Sequence, residues 1–175
     1  MSDPTIRAAP EDDVSALHRL VEHAYRGDEA RRGWSHEADL LDGQRTDAPA
    51  LSEAIADADR VVLLAHREST LVGCVMLIRQ DDGSAYLGML SVEPTLQAAG
   101  LGRYLLRVAE REAVARFQAT RIEMTVIRQR PELIAWYERR GYALTGATAD
   151  FPMDDERFGL PRRRDLQFLV LAKAL

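Results

Sequence analysis

Between Tyr86 and Ala113 the chain reads YLGMLSVEPTLQAAGLGRYLLRVAEREA, which dictates a strand, a loop and a helix in succession. Leu87, Met89, Leu90 and Val92 are the apolar anchors of the strand. Pro94 stops ladder pairing, because proline has no N–H to donate. Leu101, Leu105, Val108, Ala109 and Ala113 then recur at helical spacing, so one face of the next helix is apolar. Gln97-Ala98-Ala99-Gly100-Leu101-Gly102 opens that helix. A helix start presents N–H groups without partners and the positive end of the macrodipole. Two glycines remove the Cβ atoms that would hold a ligand off. The run is thus a candidate pyrophosphate cradle; a loop that uses its glycines only to turn tightly is the alternative. A Walker A loop is excluded, since Arg103-Tyr104 stands where Lys-Ser/Thr is needed. A dinucleotide fingerprint fits poorly: seven residues separate Val92 from Gly100, and Leu105 occupies the third glycine position.

The flanking sequence supplies the rest of a sheet. Residues 5–8 suit an edge strand. Pro10 and the acidic Glu11, Asp12 and Asp13 start a helix over 11–26, with Val14, Leu17, Val21 and Ala24 on one face. Residues 26–48 read as a polar loop, interrupted around 38–41. A short helix over 51–58 follows, then a buried strand over 61–65, a glycine-free turn and a partner strand over 71–78. Asp81-Asp82-Gly83 marks the next turn. Beyond the helix at 100–117 come a strand over 122–127 and a helix over 131–140 closed by Gly141. A strand from 142, a long loop over 149–164 and a final strand over 166–172 complete the chain. This order predicts an α/β protein with one mixed, mostly antiparallel sheet of about seven strands and helices on both faces. At 175 residues the whole of 1–175 is expected to be a single domain.

The net charge of −5 argues against a general nucleic-acid or membrane-surface binder. Cys74 is the only cysteine, so no intrachain disulfide can form, and its apolar surroundings suit a small core residue. The N-terminal MSDPTIRAAPEDD has no apolar signal core, and a cytoplasmic location is expected. His18 and His23 are five apart, which is not the spacing of a helical metal pair, and no metal is expected.

Two landmarks together resemble a known family. Leu90-Ser91-Val92 followed by Gln97-x-x-Gly100-x-Gly102 is similar to the acyl-CoA signature of the GNAT superfamily of N-acetyltransferases. Leu133-Ile134-Ala135-Trp136-Tyr137-Glu138-Arg139-Arg140-Gly141-Tyr142 is similar to its helix ending in Tyr-x-x-x-Gly-Phe/Tyr. The segment GWSHEADLLDGQRTD also looks like one in a subset of bacterial members whose acceptor is unassigned.

The resemblance implies the GNAT fold, acetyl-CoA as co-substrate and transfer of its acetyl group to the amine of a small molecule. By position, Leu90, Ser91 and Val92 would offer backbone groups to the pantetheine arm, and the amide after them would polarise the thioester carbonyl. Gln97, Ala98, Ala99, Gly100, Leu101, Gly102 and Arg103 would cradle the pyrophosphate, with Arg103 either adding charge or facing water. Tyr137 would donate a proton to the leaving thiolate. Many members carry asparagine seven residues before that tyrosine; here it is Arg130. The loop after the first helix would wall the acceptor pocket, with Trp34, His36 and Arg45 as candidate substrate contacts. No carboxylate faces out of the 86–92 strand; Glu123, His36, Glu37 or a water chain could then serve as general base, with Glu37 the candidate chosen. Asp39, Asp42, Asp154 and Asp155 border the same region and favour a cationic amine if they point inward, whereas Arg45 and Arg157 favour a carboxylated one. A homodimer is common in the family, and no residue here requires one. Two other readings stay open: a non-catalytic acyl-CoA-binding or sensing module, and a nucleotide-phosphate-binding domain of another family.

Overall fold

The computed structural model describes residues 3–175. In chain order the elements are β1 (Thr5–Ala8), α1 (Val14–Tyr25), α2 (Gly27–Ala30), β2 (Leu41–Asp42), α3 (Ala48–Ala56), β3 (Arg60–Arg67), β4 (Thr70–Arg79), β5 (Ser84–Val92), α4 (Leu101–Phe117), β6 (Arg121–Ile127), α5 (Pro131–Glu138), β7 (Ala143–Asp150), β8 (Leu160–Pro161) and β9 (Gln167–Ala174). Seven strands form one sheet in the order β1-β3-β4-β5-β6-β9-β7. Every pairing in it is antiparallel except β5 with β6. The expected mixed sheet is therefore observed.

Helices cover both faces because the central strands are apolar on both. In β3, Val61, Leu63 and Ala65 join Leu101, Leu105, Val108 and Ala109 of α4 in one core. The intervening Val62 and Leu64 join Leu17, Leu20 and Val21 of α1 and Leu51 and Ala54 of α3 in the other. Strand side chains alternate between faces, so a continuous apolar run feeds two cores at once. Cys74 is buried in the second core and donates its thiol to the Met89 carbonyl at 3.4 Å.

Several boundaries differ from the sequence expectation, each for a local reason. α3 starts at Ala48 because the Asp47 side chain caps it, accepting from the Ala50 amide at 2.9 Å, with Pro49 in the first turn. The β3–β4 turn needs no glycine because Glu68 takes the left-handed conformation, at φ 54°. The polar loop after α1 contains α2 and β2, and β2 pairs with β8 from the other expected loop. β7 runs on to Asp150, paired with β9, although all eight of its residues are exposed. Gly141, at φ 91°, follows the end of α5 in the left-handed conformation a helix-closing glycine takes.

Candidate active site

The sheet opens at its centre. β5 and β6 pair only over Ser84–Tyr86 with Arg121–Glu123. Beyond that point β6 stays bound to β9, while β5 is steered away from β6 by a bulge opposite β4. Met89 carries the bulge at φ 53°. Its carbonyl takes hydrogen bonds from the Ser91 hydroxyl at 3.0 Å and the Cys74 thiol at 3.4 Å. The next carbonyl, of Leu90, accepts from the Tyr25 hydroxyl at 2.8 Å. A wedge with an unpaired strand edge results.

One expectation needs correction at this edge. The amide after Val92, that of Glu93, donates to the Val72 carbonyl at 2.9 Å and is not free to polarise anything else. Successive strand amides point to opposite sides, so the Val92 amide is the one on the wedge side.

At the wide end of the wedge lies the loop into α4. Ala98 and Gly100 both have positive φ, at 69° and 86°. Among the described residues, no acceptor is found for the amides of Ala98, Gly100, Leu101, Gly102 and Arg103. These donors, at the start of a 17-residue helix, suit an anion. A cavity of about 450 Å³ opens over them and is lined by every expected cradle residue except Leu101. The Leu101 side chain is buried in the α4 core, so only its amide serves this end. Arg103 lines the cavity and is exposed to solvent.

Gln97 takes a role the sequence did not suggest. Its Oε1 accepts from the Ser35 amide at 2.9 Å. Its Nε2 donates to the Val92 carbonyl at 3.3 Å and the Ser35 carbonyl at 3.4 Å. The side chain thus straps the loop after α2 to the end of β5. Trp34, on that loop, sits 6.3 Å from Trp136 and lines this same cavity rather than the neighbouring one.

A second cavity, of about 480 Å³, lies on the other side of the wedge. The two share Tyr25, Leu90, Arg130, Leu133 and Tyr137. Tyr137 is buried, edge-on to Trp136 at 5.0 Å and to Tyr142 at 5.7 Å. Among the described residues its hydroxyl has no hydrogen-bond partner, and burial pushes its pKa well above the ordinary tyrosine value. It therefore keeps its proton until a stronger base arrives.

Glu37 lines the second cavity as half of a buried ion pair with Arg26. Burial alone would raise its carboxyl, but Arg26, Arg45 and Arg130 outweigh that and hold it below the ordinary value. Arg45 lines this cavity too, whereas His36 lines neither and accepts from the Ala38 amide at 3.2 Å. Asp39, Asp42, Asp154 and Asp155 lie outside the second cavity and pair with Arg31, Arg162, Arg164 and Arg157. Tyr86 and Thr125 bridge β5 and β6 through their hydroxyls at 2.8 Å on the cavity wall.

Two residues of this centre were not assigned from sequence. Arg130 is buried, lines both cavities and donates to the Ser35 hydroxyl at 2.9 Å. Its place before Pro131, where asparagine is common, was the available signal. Tyr25 continues the apolar α1 face set by Val14, Leu17 and Val21, and an aromatic hydroxyl ending such a face was its signal. Among the described residues no group of three or more His, Cys, Asp or Glu is placed to hold a metal ion, and no helix is long and apolar enough to cross a membrane.

The sequence model of the acetyltransferase (GNAT) family matches residues 15–142. No curated protein matches the chain. Among solved structures, the ribosomal-protein-alanine N-acetyltransferase from Brucella melitensis is 21% identical, with a TM-score of 0.70 over 98% of this chain and 99% of that one. The yncA protein from Salmonella typhimurium, solved with its cofactor acetyl-CoA, is 23% identical, with a TM-score of 0.69 over 99% and 95%. A spermidine N-acetyltransferase chimera of the Vibrio cholerae and human proteins is 18% identical, with a TM-score of 0.70 over 99% and 96%. At these identities the likeness is one of fold.

Proposed function

The chain belongs to the acetyltransferase (GNAT) family, and from that premise we propose that it moves the acetyl group of acetyl-CoA to a primary amine of a small molecule, by direct attack in a ternary complex. The same reading takes the whole chain as one acetyltransferase domain. The observation that carries it is the meeting of two cavities at Leu90 and Tyr137, one floored by helix-start amides for which no partner is found among the described residues and the other walled by apolar side chains together with three arginines and Glu37. Such a junction suits a donor and an acceptor that arrive from opposite sides of one sheet.

Bound acetyl-CoA supplies a thioester whose carbonyl carbon the amine attacks and whose sulfur leaves. The chain's own residues do the rest. The amides of residues 98 and 100–103 hold the pyrophosphate without needing a side chain. The open edge of β5 orients the pantetheine arm, and the Val92 amide is the donor aimed at developing charge on the carbonyl oxygen. The Tyr137 hydroxyl, kept protonated by burial, gives its proton to the departing sulfur and recovers the one that the attacking nitrogen sheds as the amide forms.

Glu37 fits a positioning role better than that of a base. A carboxylate held below its ordinary pKa by arginines has little appetite for an ammonium proton. It fixes Arg26, whose other amine donates to the Phe158 carbonyl at 3.0 Å and so ties down the far wall of the acceptor cavity. The amine then enters as its neutral fraction, and the rate rises with pH until that amine is deprotonated.

The test is release of free thiol from acetyl-CoA across a panel of amines, run beside a thermal-shift series with acetyl-CoA, CoA, ATP and NADH. Amine-dependent thiol release supports transfer. Stabilisation by CoA species without release on any amine would point to a sensing module instead. Stabilisation by ATP or NADH alone would remove the proposal.

A further inference from the structure

Three arginines line the acceptor cavity, and two already lie within ion-pair distance of carboxylates. Arg26 pairs with Glu37 and donates to the Phe158 carbonyl. Arg130 bonds the Ser35 hydroxyl and lies 3.5 Å from Glu132 and 4.0 Å from Glu37. Arg45 differs. Among the described residues no carboxylate lies within ion-pair distance of its guanidinium, which sits instead over the Tyr25 ring, 5.1 Å from the centroid. The Tyr25 hydroxyl bonds the Leu90 carbonyl, so that ring connects Arg45 to the junction of the two cavities. The remaining acid on this cavity, Asp150, is exposed at the end of β7.

The backbone beneath Arg45 is anchored for the purpose. Glu22, from α1, accepts from the Arg45 amide at 2.9 and 3.1 Å and from the Thr46 amide at 2.9 Å. Its carboxylate serves the main chain and makes no ion pair with the Arg45 guanidinium, on which Glu37 acts only from beyond ion-pair distance. A half-buried cation on a pinned loop, facing a cavity, is prepared for an anion that the protein does not itself provide. The guanidinium fork matches a carboxylate, two parallel bonds to two oxygens. A dianionic phosphate fits less well, because the ionised Glu37 lines the same space. The other walls, Met89, Met124, Val126, Ile127, Phe151 and Phe168, call for an apolar body.

We propose that the acceptor is a small amine bearing a carboxylate and an apolar side group, of the amino-acid type, and that Arg45 holds the carboxylate. The proposal rests on the acetyltransferase reading and names its acceptor class.

The experiment compares L-phenylalanine and L-methionine with their carboxamides as acceptors, in the wild type and in Arg45→Gln, with acetyl-CoA affinity measured in both. Calorimetric titration with 3-phenylpropanoate and 3-phenylpropanamide runs alongside. The expected result is that kcat/KM, referred to the neutral fraction of each amine, favours the acids by about 10- to 100-fold, the worth of a charge-assisted hydrogen-bond pair. That preference falls to about twofold or less in Arg45→Gln, which binds acetyl-CoA as the wild type does. In the titration the acid binds the wild type and not the variant. Equal use of acids and amides, or no binding of 3-phenylpropanoate where none of the four is a substrate, overturns the proposal. So does a preference that survives Arg45→Gln, or loss of acetyl-CoA binding in that variant. Failure of the wild type to bind acetyl-CoA, or to release thiol with any amine, removes the acetyltransferase reading itself. Thiol release without a carboxylate preference removes only the acceptor class.

Discussion

Gln97 grips Ser35 by both halves of its peptide frame, accepting from the amide at 2.9 Å and donating to the carbonyl at 3.4 Å, across 62 positions of sequence. This contact ties the loop ahead of α4 to the loop after α2. The grip depends on Gly33, where an added Cβ would lie 2.3 Å from Gln97 Oε1 and 2.5 Å from its Cδ.

Gly33→Ala should therefore push Gln97 off Ser35. Losing hydrogen bonds worth about 1 kcal/mol each lowers Tm by about 2–4 °C per kcal/mol in a chain of this size. Acetyl-CoA affinity should fall by about threefold to tenfold, on the scale of one such bond. In Gln97→Ala the same glycine substitution should add little, since its obstacle is gone; additive losses would show that the contact does not carry the effect.

Tyr137→Phe should lower kcat by about 100-fold, the usual scale for a lost proton donor. KM for acetyl-CoA should hold. The hydroxyl has no partner among the described residues, so stability should change by no more than about 0.5 kcal/mol. Steady-state kinetics with a melting curve separates the two effects, and an unchanged kcat removes Tyr137 from the chemistry.

Glu37→Gln tests the buried pair with Arg26. At neutral pH the variant should be less stable by about 1–3 kcal/mol, because Arg26 is left without its counter-charge. The wild-type carboxyl titrates below its ordinary 4.5 in the folded state. Its contribution is therefore complete above that value and is lost as pH falls through the depressed one. Melting temperatures of the two proteins, measured from pH 7 to pH 3, should converge at the acid end. Parallel curves would show that the pair contributes no charge-dependent stability.

Gly73→Ala probes the seam between β4 and α4. A Cβ there would meet Leu105 Cδ1 at 2.7 Å and the Ser91 carbonyl oxygen at 3.0 Å. The carbonyl belongs to the strand and cannot swing aside, so a loss of about 1–3 kcal/mol is expected. Denaturant unfolding measures it. A neutral result would mean that the bulged β5 yields more easily than its pairing suggests.

The strand, loop and helix over 84–117 were legible because each boundary has a local chemical cause, Pro94 for the strand end and Gly100 for the helix start. The apolar spacing of α4 was equally legible, and for the Leu101 side chain it prevailed over the motif. The start of α3 is written in Asp47-Ala48-Pro49, a capping carboxylate and a first-turn proline that the apolar spacing over 51–58 does not include. Other features have no local signal. β2 and β8 are two residues each and exist through pairing with one another across the chain. Arg130 meets Ser35 across 95 positions. That Glu37 is paired, Arg45 unpaired and His36 outside both cavities is decided by tertiary placement, which residue type alone does not encode.

The opening between β5 and β6 also divides the labour of specificity. A space bounded by two strand edges admits a body about as thin as a strand, with polar groups along its length. From Leu87 to Val92 it extends about 17 Å at the ordinary strand rise. What is selected there is a shape and a pattern of backbone bonds, and side chains on β5 contribute little to the choice. On the proposed reading, donor recognition is written into the main chain, where substitutions seldom reach it, while acceptor recognition falls to exchangeable side chains such as Arg45 and Phe158, which line the second cavity from separate loops. If that reading holds, a lineage built on this plan would change its acceptor without relearning its donor.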